Sequence, residues 1–460
     1  MKKIVSGLML VSTLCAAGTV MADDQPVQSS TVFSKYKLTI GGYVKLDYVY
    51  NSNQQQPSNY FNLVTPDNGG IGAKGTAGDS STMGIEQTRL WLKVDGPGVM
   101  GGTSAALVEG DFFGIPNVVE SSPMLRIRQA YGALNWDNGQ VLFGQTWELF
   151  GGMLANTVDM RTGEGYGTPW NREPMLKVTY DQKFDASNKL SYVVAAVMPQ
   201  QTGDNSAIMA NSGLAGILGT NWSTLGGLNV TQAPVNTNLP NFEGQLTFTS
   251  KVAGSAPSYY GAMKDLTVMA FGLYGHARYD YTGLHGSIVG EDSYGYGLYA
   301  FVPVLGSQDG KSRANTLSLE GQIYEASNMA WNGGTAAPFT QVGAGQIYGN
   351  NMSAANGVTP MKDLGVAAQV IYYPTQKMGL TLGFIDRIAQ NKSTDFAHVT
   401  GALAGGTYNK SDSMIYTNVA YDLNAAVRVA AEYQNVMTTY GNHGVTGVDN
   451  IGRLSFYYFF

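Results

Sequence analysis

Hydrophobic and polar positions alternate with a period of two along most of this chain. That is the pattern of strands whose two faces meet different surroundings. The clearest case runs from Lys37 to Tyr50. Leu38, Ile40, Val44, Leu46, Tyr48 and Tyr50 share one face, and Lys45 and Asp47 share the other. From Gln87 to Val94, Leu90, Leu92 and Val94 point one way, and Gln87, Arg89, Trp91 and Lys93 the other. Gly96-Pro97-Gly98 predicts a turn. The next strand, Thr103 to Phe113, carries Glu109 and Asp111 inward, and Leu125 to Asn135 carries Arg126 and Arg128 inward. Asp137-Asn138-Gly139 is a tight hairpin signal before 141–146. Further alternating segments lie near 174–184, 190–199, 241–252, 266–280, 292–304, 316–326, 362–373, 379–387, 411–423, 426–436 and 449–460, which makes about 16 strands. Short connections (95–102, 136–140, 181–189, 374–378, 424–426) contrast with long polar ones (51–82, 147–173, 200–240, 327–361, 388–410). Short turns on one rim and long loops on the other, with an even strand number, predict an all-β, transmembrane antiparallel β-barrel. No fixed internal period points to a solenoid or propeller.

Composition sharpens this expectation. Charged residues are 13% of the chain, against about 25% in an ordinary globular domain. Yet beyond the first 22 residues no apolar run reaches the ~20 residues that a membrane helix needs. A barrel reconciles the two facts, because lipid-facing and lumen-facing residues alternate and mean hydropathy stays near zero. Lys2 and Lys3, the apolar stretch from Ile4 to Ala17, and Val20-Met21-Ala22 predict a secretory signal peptide over 1–22, cleaved after Ala22. A short periplasmic lead-in over 23–36 and a single barrel over 37–460 follow. Cys15 is the sole cysteine, so the mature chain has no disulfide, thiolate metal site or cysteine nucleophile. Net charge is −6, and losing the signal's two lysines leaves −8, which argues against nucleic acid as a partner. At the C-terminus Leu454, Phe456, Tyr458 and Phe460 share one face, opposite Arg453, Ser455, Tyr457 and Phe459. An ending of this kind resembles the signal read by the bacterial barrel-assembly machinery. Outer-membrane lipid and that machinery are the expected partners, and the bacterial outer membrane the location, with both barrel ends in the periplasm.

The strings GGYVKLDYVYN (41–51), QTRLWLKV (87–94), VEGDFFG (108–114), LRIRQAYG (125–132), LFGQTWELF (142–150) and RLSFYYFF (453–460) occur in this order. Together they resemble the bacterial general-porin superfamily and, within it, the DcaP-like outer-membrane porins. The wording is clear over the first third of the chain and the last strand. The resemblance implies a sixteen-stranded trimeric barrel with a third loop folded into the pore. It places the segment 147–173 at that loop.

Candidate pore-lining residues follow from the inward faces and that loop: Lys45, Asp47, Arg89, Lys93, Glu109, Asp111, Arg126 and Arg128 on the wall, and Asp159, Arg161, Glu164 and Arg172 on the segment 147–173. Cross-strand neighbours of opposite sign pair, so the wall charges read either as a lattice that stiffens the barrel or as a cationic strip that orients anions. Lumen charges are wet and serve both ends. Loop acids facing wall arginines create a transverse field that favours charged or dipolar solutes. Glu243, Arg278, Glu320, Arg428, Glu432 and Arg453 read as wall-solvating residues. Small outward residues (Gly42, Ala106, Gly110, Ala133) suggest a flat face for packing into trimers.

No catalytic or cofactor motif stands out. His276, His285, His398 and His443 lack metal-ligand spacing, and HExxH is absent. Gly295-x-Gly297-x-x-Ala300 lacks the βαβ context of a nucleotide site, so it reads as strand. No metal or cofactor is expected. The leading expectation is a porin for passive diffusion of small hydrophilic solutes. Its wall arginines lean toward small anionic or dicarboxylic compounds, and its loop acids lean the other way. The competing expectations are an outer-membrane barrel enzyme and a surface-binding barrel with a blocked lumen.

Overall fold

The computed structural model describes residues 30–33, 36–53, 55–56, 63–64, 79–113, 124–159, 167–169, 171–198, 234–236, 239–280, 288–327, 350–353, 357–360, 362–390, 409–440 and 446–460. Sixteen strands form the barrel wall. They are β1 (Tyr36–Asn51), β2 (Arg89–Val99, preceded by Ser80–Gly84 on the same edge of β1), β3 (Gly102–Asp111) and β4 (Arg126–Trp136). Next come β5 (Gly139–Trp147), β6 (Arg172–Lys183), β7 (Asn188–Val197) and β8 (Asn241–Pro257). Then follow β9 (Met263–Asp280), β10 (Ile288–Leu305), β11 (Thr316–Ser327) and β12 (Lys362–Tyr373). The last four are β13 (Met378–Ala389), β14 (Asn409–Asp422), β15 (Val427–Tyr440) and β16 (Thr446–Phe459). Each pairs antiparallel with its neighbour in sequence, and β16 closes on β1 from Tyr43↔Phe459 to Asn51↔Ile451. Closure leaves the wall without a free edge, as a sheet crossing hydrocarbon requires.

The alternation predicted for β1 is the one observed. Ile40, Val44, Leu46, Tyr48 and Tyr50 are exposed on the outer surface, while Lys45 and Asp47 are buried inside. The outer band continues with Leu90, Leu92, Val108, Phe143, Leu176, Val178, Leu298, Leu382, Phe456 and Tyr458. Turns as short as 100–101, 137–138 and 374–377 lie on the rim that also holds Tyr36 and Phe459. Ser30–Phe33 pairs antiparallel with the start of β1. The segment 1–22, read as a signal peptide, lies outside the described residues.

Two local expectations are corrected. The turn after β2 is not Gly96-Pro97-Gly98. The strand runs on to Val99 with a register shift between Asp95 and Gly98. The chain reverses at Met100 and Gly101, whose φ angles are 51° and 78°, as a two-residue hairpin matched to strand twist needs. Second, Ala133 does not face outward. In β4, Glu109 pairs with Gln129 but Gly110 with Ile127, so Arg128 is the extra residue of a bulge. A bulge shifts the side-chain parity of everything after it. Arg126, Arg128 and then Gln129 and Ala133 therefore all turn inward, and Ala133 is buried beside Leu142, Met175 and Val197.

The inner wall is not uniformly polar. Met269, Phe271, Tyr299, Phe301, Tyr324, Ile385 and Tyr416 are buried in one cluster with Phe150, Met153 and Ala155 of the connection between β5 and β6. Val64, from the connection between β1 and β2, is fully buried in the same cluster, and its N–H donates to Thr438 Oγ1 at 3.1 Å.

Candidate functional site

The lumen has two kinds of wall. The first is a charged strip over β2–β6. Arg126 grips Asp111 with two parallel bonds, Nε to Oδ1 at 3.0 Å and Nη2 to Oδ2 at 2.8 Å. Arg128 reaches both acids, donating to Glu109 Oε1 at 2.8 Å and to Asp111 Oδ2 at 2.6 Å. Arg89 Nε lies 3.9 Å from Glu109 Oε1. The β4 bulge makes this possible, because it presents Arg126 and Arg128 to the same pair of carboxylates on β3. Three guanidinium groups thus share two carboxylates. Bidentate pairs of this sort are the strong class of charge-assisted bonds. Trp147, ending β5, extends the strip: the guanidinium carbons of Arg128 and Arg172 lie 5.8 Å and 5.0 Å from its ring, within cation–π range. Arg126 is the most open of the acid-bound arginines, with a third of its side chain exposed.

The second wall, β8–β16, carries a strip of backbone. The connection between β5 and β6 lies against it over residues 149–159, hydrogen-bonded to one inward side chain after another. Leu149 N–H donates to Glu243 Oε2 at 2.6 Å, and Gln245 Nε2 donates to the carbonyls of Leu149 and Gly151. Gln322 Oε1 accepts from the amides of Gly152 and Met153, and its Nε2 donates to the Gly167 carbonyl. Gln369 accepts from Asn156 N–H at 2.8 Å and donates to the Leu154 carbonyl. Glu432 Oε2 takes Val158 N–H at 2.6 Å, and its Oε1 takes Asp159 N–H at 3.2 Å. A primary amide matches peptide backbone because it offers one acceptor and one donor side by side. Carboxylates grip the two ends, where backbone amides donate to Glu243 and Glu432.

Apolar packing fixes the same segment. The Phe150 ring meets Phe271 edge-on at 5.2 Å and Tyr324 at 5.5 Å. A Cβ on Gly295 would sit 2.4 Å from the Phe150 ring, so the glycine of the apparent nucleotide motif is space for that ring. Burying a phenylalanine side chain is worth about 1.5–3 kcal/mol.

The predicted residues therefore separate. Arg89, Glu109, Asp111, Arg126, Arg128 and Arg172 lie together on the β2–β6 strip. Lys45, Asp47 and Asp159 meet at the far tip of the connection. Lys45 Nζ is 3.0 Å from Asp47 Oδ1 and donates to the Val158 carbonyl at 2.6 Å, and it also bonds Gln87. Asp159 pairs with Arg453 of β16 at 3.4 Å. Against Arg89, Arg126 and Arg128 the described residues place the β3 carboxylates Glu109 and Asp111. Lys93 is apart from both groups, half exposed and paired with Asp95 at 2.9 Å. Arg161 and Glu164 lie outside the described residues, as does the Arg278 side chain. Glu243 and Glu432, read as wall-solvating residues, hold the connection instead. Sequence reasoning missed Gln245, Gln322, Gln369, Asn156 and Trp147. The glutamines sit on inward faces, but an inward glutamine looks the same whether it meets water or backbone.

This architecture is that of the bacterial outer-membrane channels. The outer membrane channel DcaP of Acinetobacter baumannii is similar over 94% of this chain and 99% of its own, with a TM-score of 0.63 at 18% identity. OmpF of Salmonella typhi is similar over 94% of this chain and 100% of its own, with a TM-score of 0.51 at 12% identity. The likeness to DcaP over nearly the whole barrel is thus one of fold. No protein-family model matches the chain, and no curated sequence does.

Proposed function

We propose that this chain is an outer-membrane porin that passes small hydrophilic solutes by diffusion. The observation that carries the reading is a closed sixteen-strand wall with an apolar outer band and an inner face carrying arginines and carboxylates. Such a wall suits hydrocarbon outside and water inside. The purified protein in a planar bilayer tests it. Stepwise conductance is the expected result, and a silent, correctly folded barrel contradicts it.

The finer parts of the reading rest on narrower grounds. The segment 147–173 acts as the constriction, since its residues 149–159 are bound to wall side chains from β8 to β15. Anions are favoured, because three arginines share two carboxylates on the β2–β6 strip. Reversal potentials in a salt gradient, with and without dicarboxylates, decide this. The rim of short turns faces the periplasm, residues 1–22 are removed as a signal, and the strand ending at Phe460 is read by the assembly machinery. Barrels associate as homotrimers, which cross-linking in native membranes reports.

A further inference from the structure

The hairpin end joining β8 and β9 has a form that a simple turn does not need. Ser250 pairs with Leu266, but the next pair is Ser255 with Asp265. Residues 251–254 are thus four extra residues on β8. A turn at a barrel rim is ordinarily wet. Here Ala256 is fully buried, and Ser255 and Ser258 are nearly so. Ser255 and Ser307 exchange backbone hydrogen bonds at 2.9 and 2.7 Å, which ties the segment to the β10–β11 connection. Ser318 of β11 donates to the Pro257 carbonyl at 2.7 Å, and Ser258 Oγ lies 3.5 Å from Glu320 Oε2. Tyr260 N–H then donates to Asn156 Oδ1, on the connection, at 2.8 Å. The Tyr260 ring meets Tyr457 of β16 edge-on at 6.3 Å. The segment therefore leaves the wall at β8 and touches groups on the β10–β11 connection, β11 and β16, which places its tip across the lumen.

The tip is held in an uncommon backbone state. Tyr260 has φ 57° and Gly261 φ 83°. A left-handed non-glycine residue is disfavoured, and such strain persists only where surroundings over-determine it. Here the surroundings are the Asn156 bond, the Tyr259 ring 4.5 Å away and closed backbone bonds between Ser258 and Ala262. A partly open cavity lined in part by Asn156, Val158, Tyr260, Thr381, Arg428 and Tyr457 lies between this tip and the connection.

We propose that residues 251–262 form a second constriction, with Tyr260 as its size-determining residue, so that two elements entering from opposite rims set the size limit of the pore. This deepens the porin reading and rests on it. Tyr260→Gly removes the ring and suits the left-handed φ, so the tip keeps its path while the obstruction goes. Single-channel conductance then rises roughly two-fold, as expected where pore width limits passage. In liposome swelling, the rate for a tetrasaccharide rises relative to that for a monosaccharide. Tyr260→Phe keeps the parent's size limit. A second variant replaces 251–265 by Asn-Gly, joining Ser250 to Leu266 through a two-residue hairpin, and gives a larger rise. Heat-modifiable mobility in detergent gels checks that each barrel is folded. A conducting parent whose conductance and sugar discrimination stay unchanged in folded Tyr260→Gly overturns the second constriction and leaves the porin reading standing. A folded but silent parent beside a conducting variant overturns the porin reading, and the size limit proposed here falls with it. If parent and variants are all folded and silent, both readings fall.

Discussion

The β2–β6 wall and the β8–β16 wall are built from the same alternating strands, yet they differ in what their inward side chains bind. On β2–β6 the partners are other side chains one strand away: Arg126 with Asp111, Arg128 with Glu109 and Asp111. On β8–β16 many of them are backbone amides and carbonyls from the connection, held by Gln245, Gln322, Gln369, Glu243 and Glu432, beside cross-strand pairs such as Arg387 with Asp363 and Arg428 with Asp422. The first wall keeps charge at the edge of the lumen. The second also spends polar groups on a chain segment and packs Phe150 and its aromatic neighbours beside it. On this account charge selection belongs to β2–β6, and size selection to the material packed on β8–β16.

The sharpest break comes at Phe150. Phe150→Ala is expected to lower barrel stability by about 3–5 kcal/mol, the usual cost of emptying a buried aromatic site. It also raises conductance by loosening the connection, with reversal potential nearly unchanged. Guanidinium unfolding in lipid vesicles and bilayer recording measure the two effects. Arg128→Met is the counterpart on the other wall. It leaves Glu109 and Asp111 short of a buried partner, a loss of about 3–5 kcal/mol at its upper limit. It removes one of the strip's four arginines, so reversal potential moves toward cations while the sugar size limit holds. Gln322→Ala is smaller: it orphans the Gly152 and Met153 amides, at about 1–3 kcal/mol for a buried unsatisfied group. A shift in ion selectivity there would blur the division between the walls.

Much of this was legible in alternation. The sixteen strands, the inward Lys45, Asp47, Glu109, Asp111, Arg126 and Arg128, and the outward apolar band follow from side-chain period alone. What failed has a physical reason in each case. The bulge at Arg128 inverted the parity that placed Ala133 outside. Met100-Gly101 adopts a left-handed turn without the asparagine or aspartate that usually marks one. The hairpin end 251–262 reads as an ordinary connection, because nothing local says that a turn enters a lumen. Phe271, Tyr299, Tyr324 and Tyr416 face inward because a segment from elsewhere in the chain covers them. Period reports that a strand has two faces, and only the fold says what lies over each.

The smallest expected effect concerns pH and separates the rim from both walls. Asp309, in the β10–β11 connection, accepts from the Ser307 hydroxyl and from the amides of Lys311 and Ser312. These bonds hold its carboxyl at about 2. Asp185 in the β6–β7 turn is lowered in the same way by Asn188 and Ser187. A depressed acid contributes stability above its unfolded value, about 3.9 for aspartate, and loses it as pH falls through the folded value. Unfolding followed across the neutral range should therefore show no change from these turns, and a decline confined to strongly acid pH. Asp309→Asn flattens that decline.

Thiol accessibility tests the division most directly, because Cys15 is the sole native cysteine and lies in the segment read as removed. Single cysteines are placed at Arg126 on the charged wall and at Ala367, buried in the Phe150 cluster of the covered wall. A charged, membrane-impermeant thiol reagent is then added during bilayer recording. The account predicts a clear fall in current for Arg126→Cys and none for Ala367→Cys. Block at Ala367→Cys with an untouched current at Arg126→Cys would place the solute path on the opposite wall and contradict it.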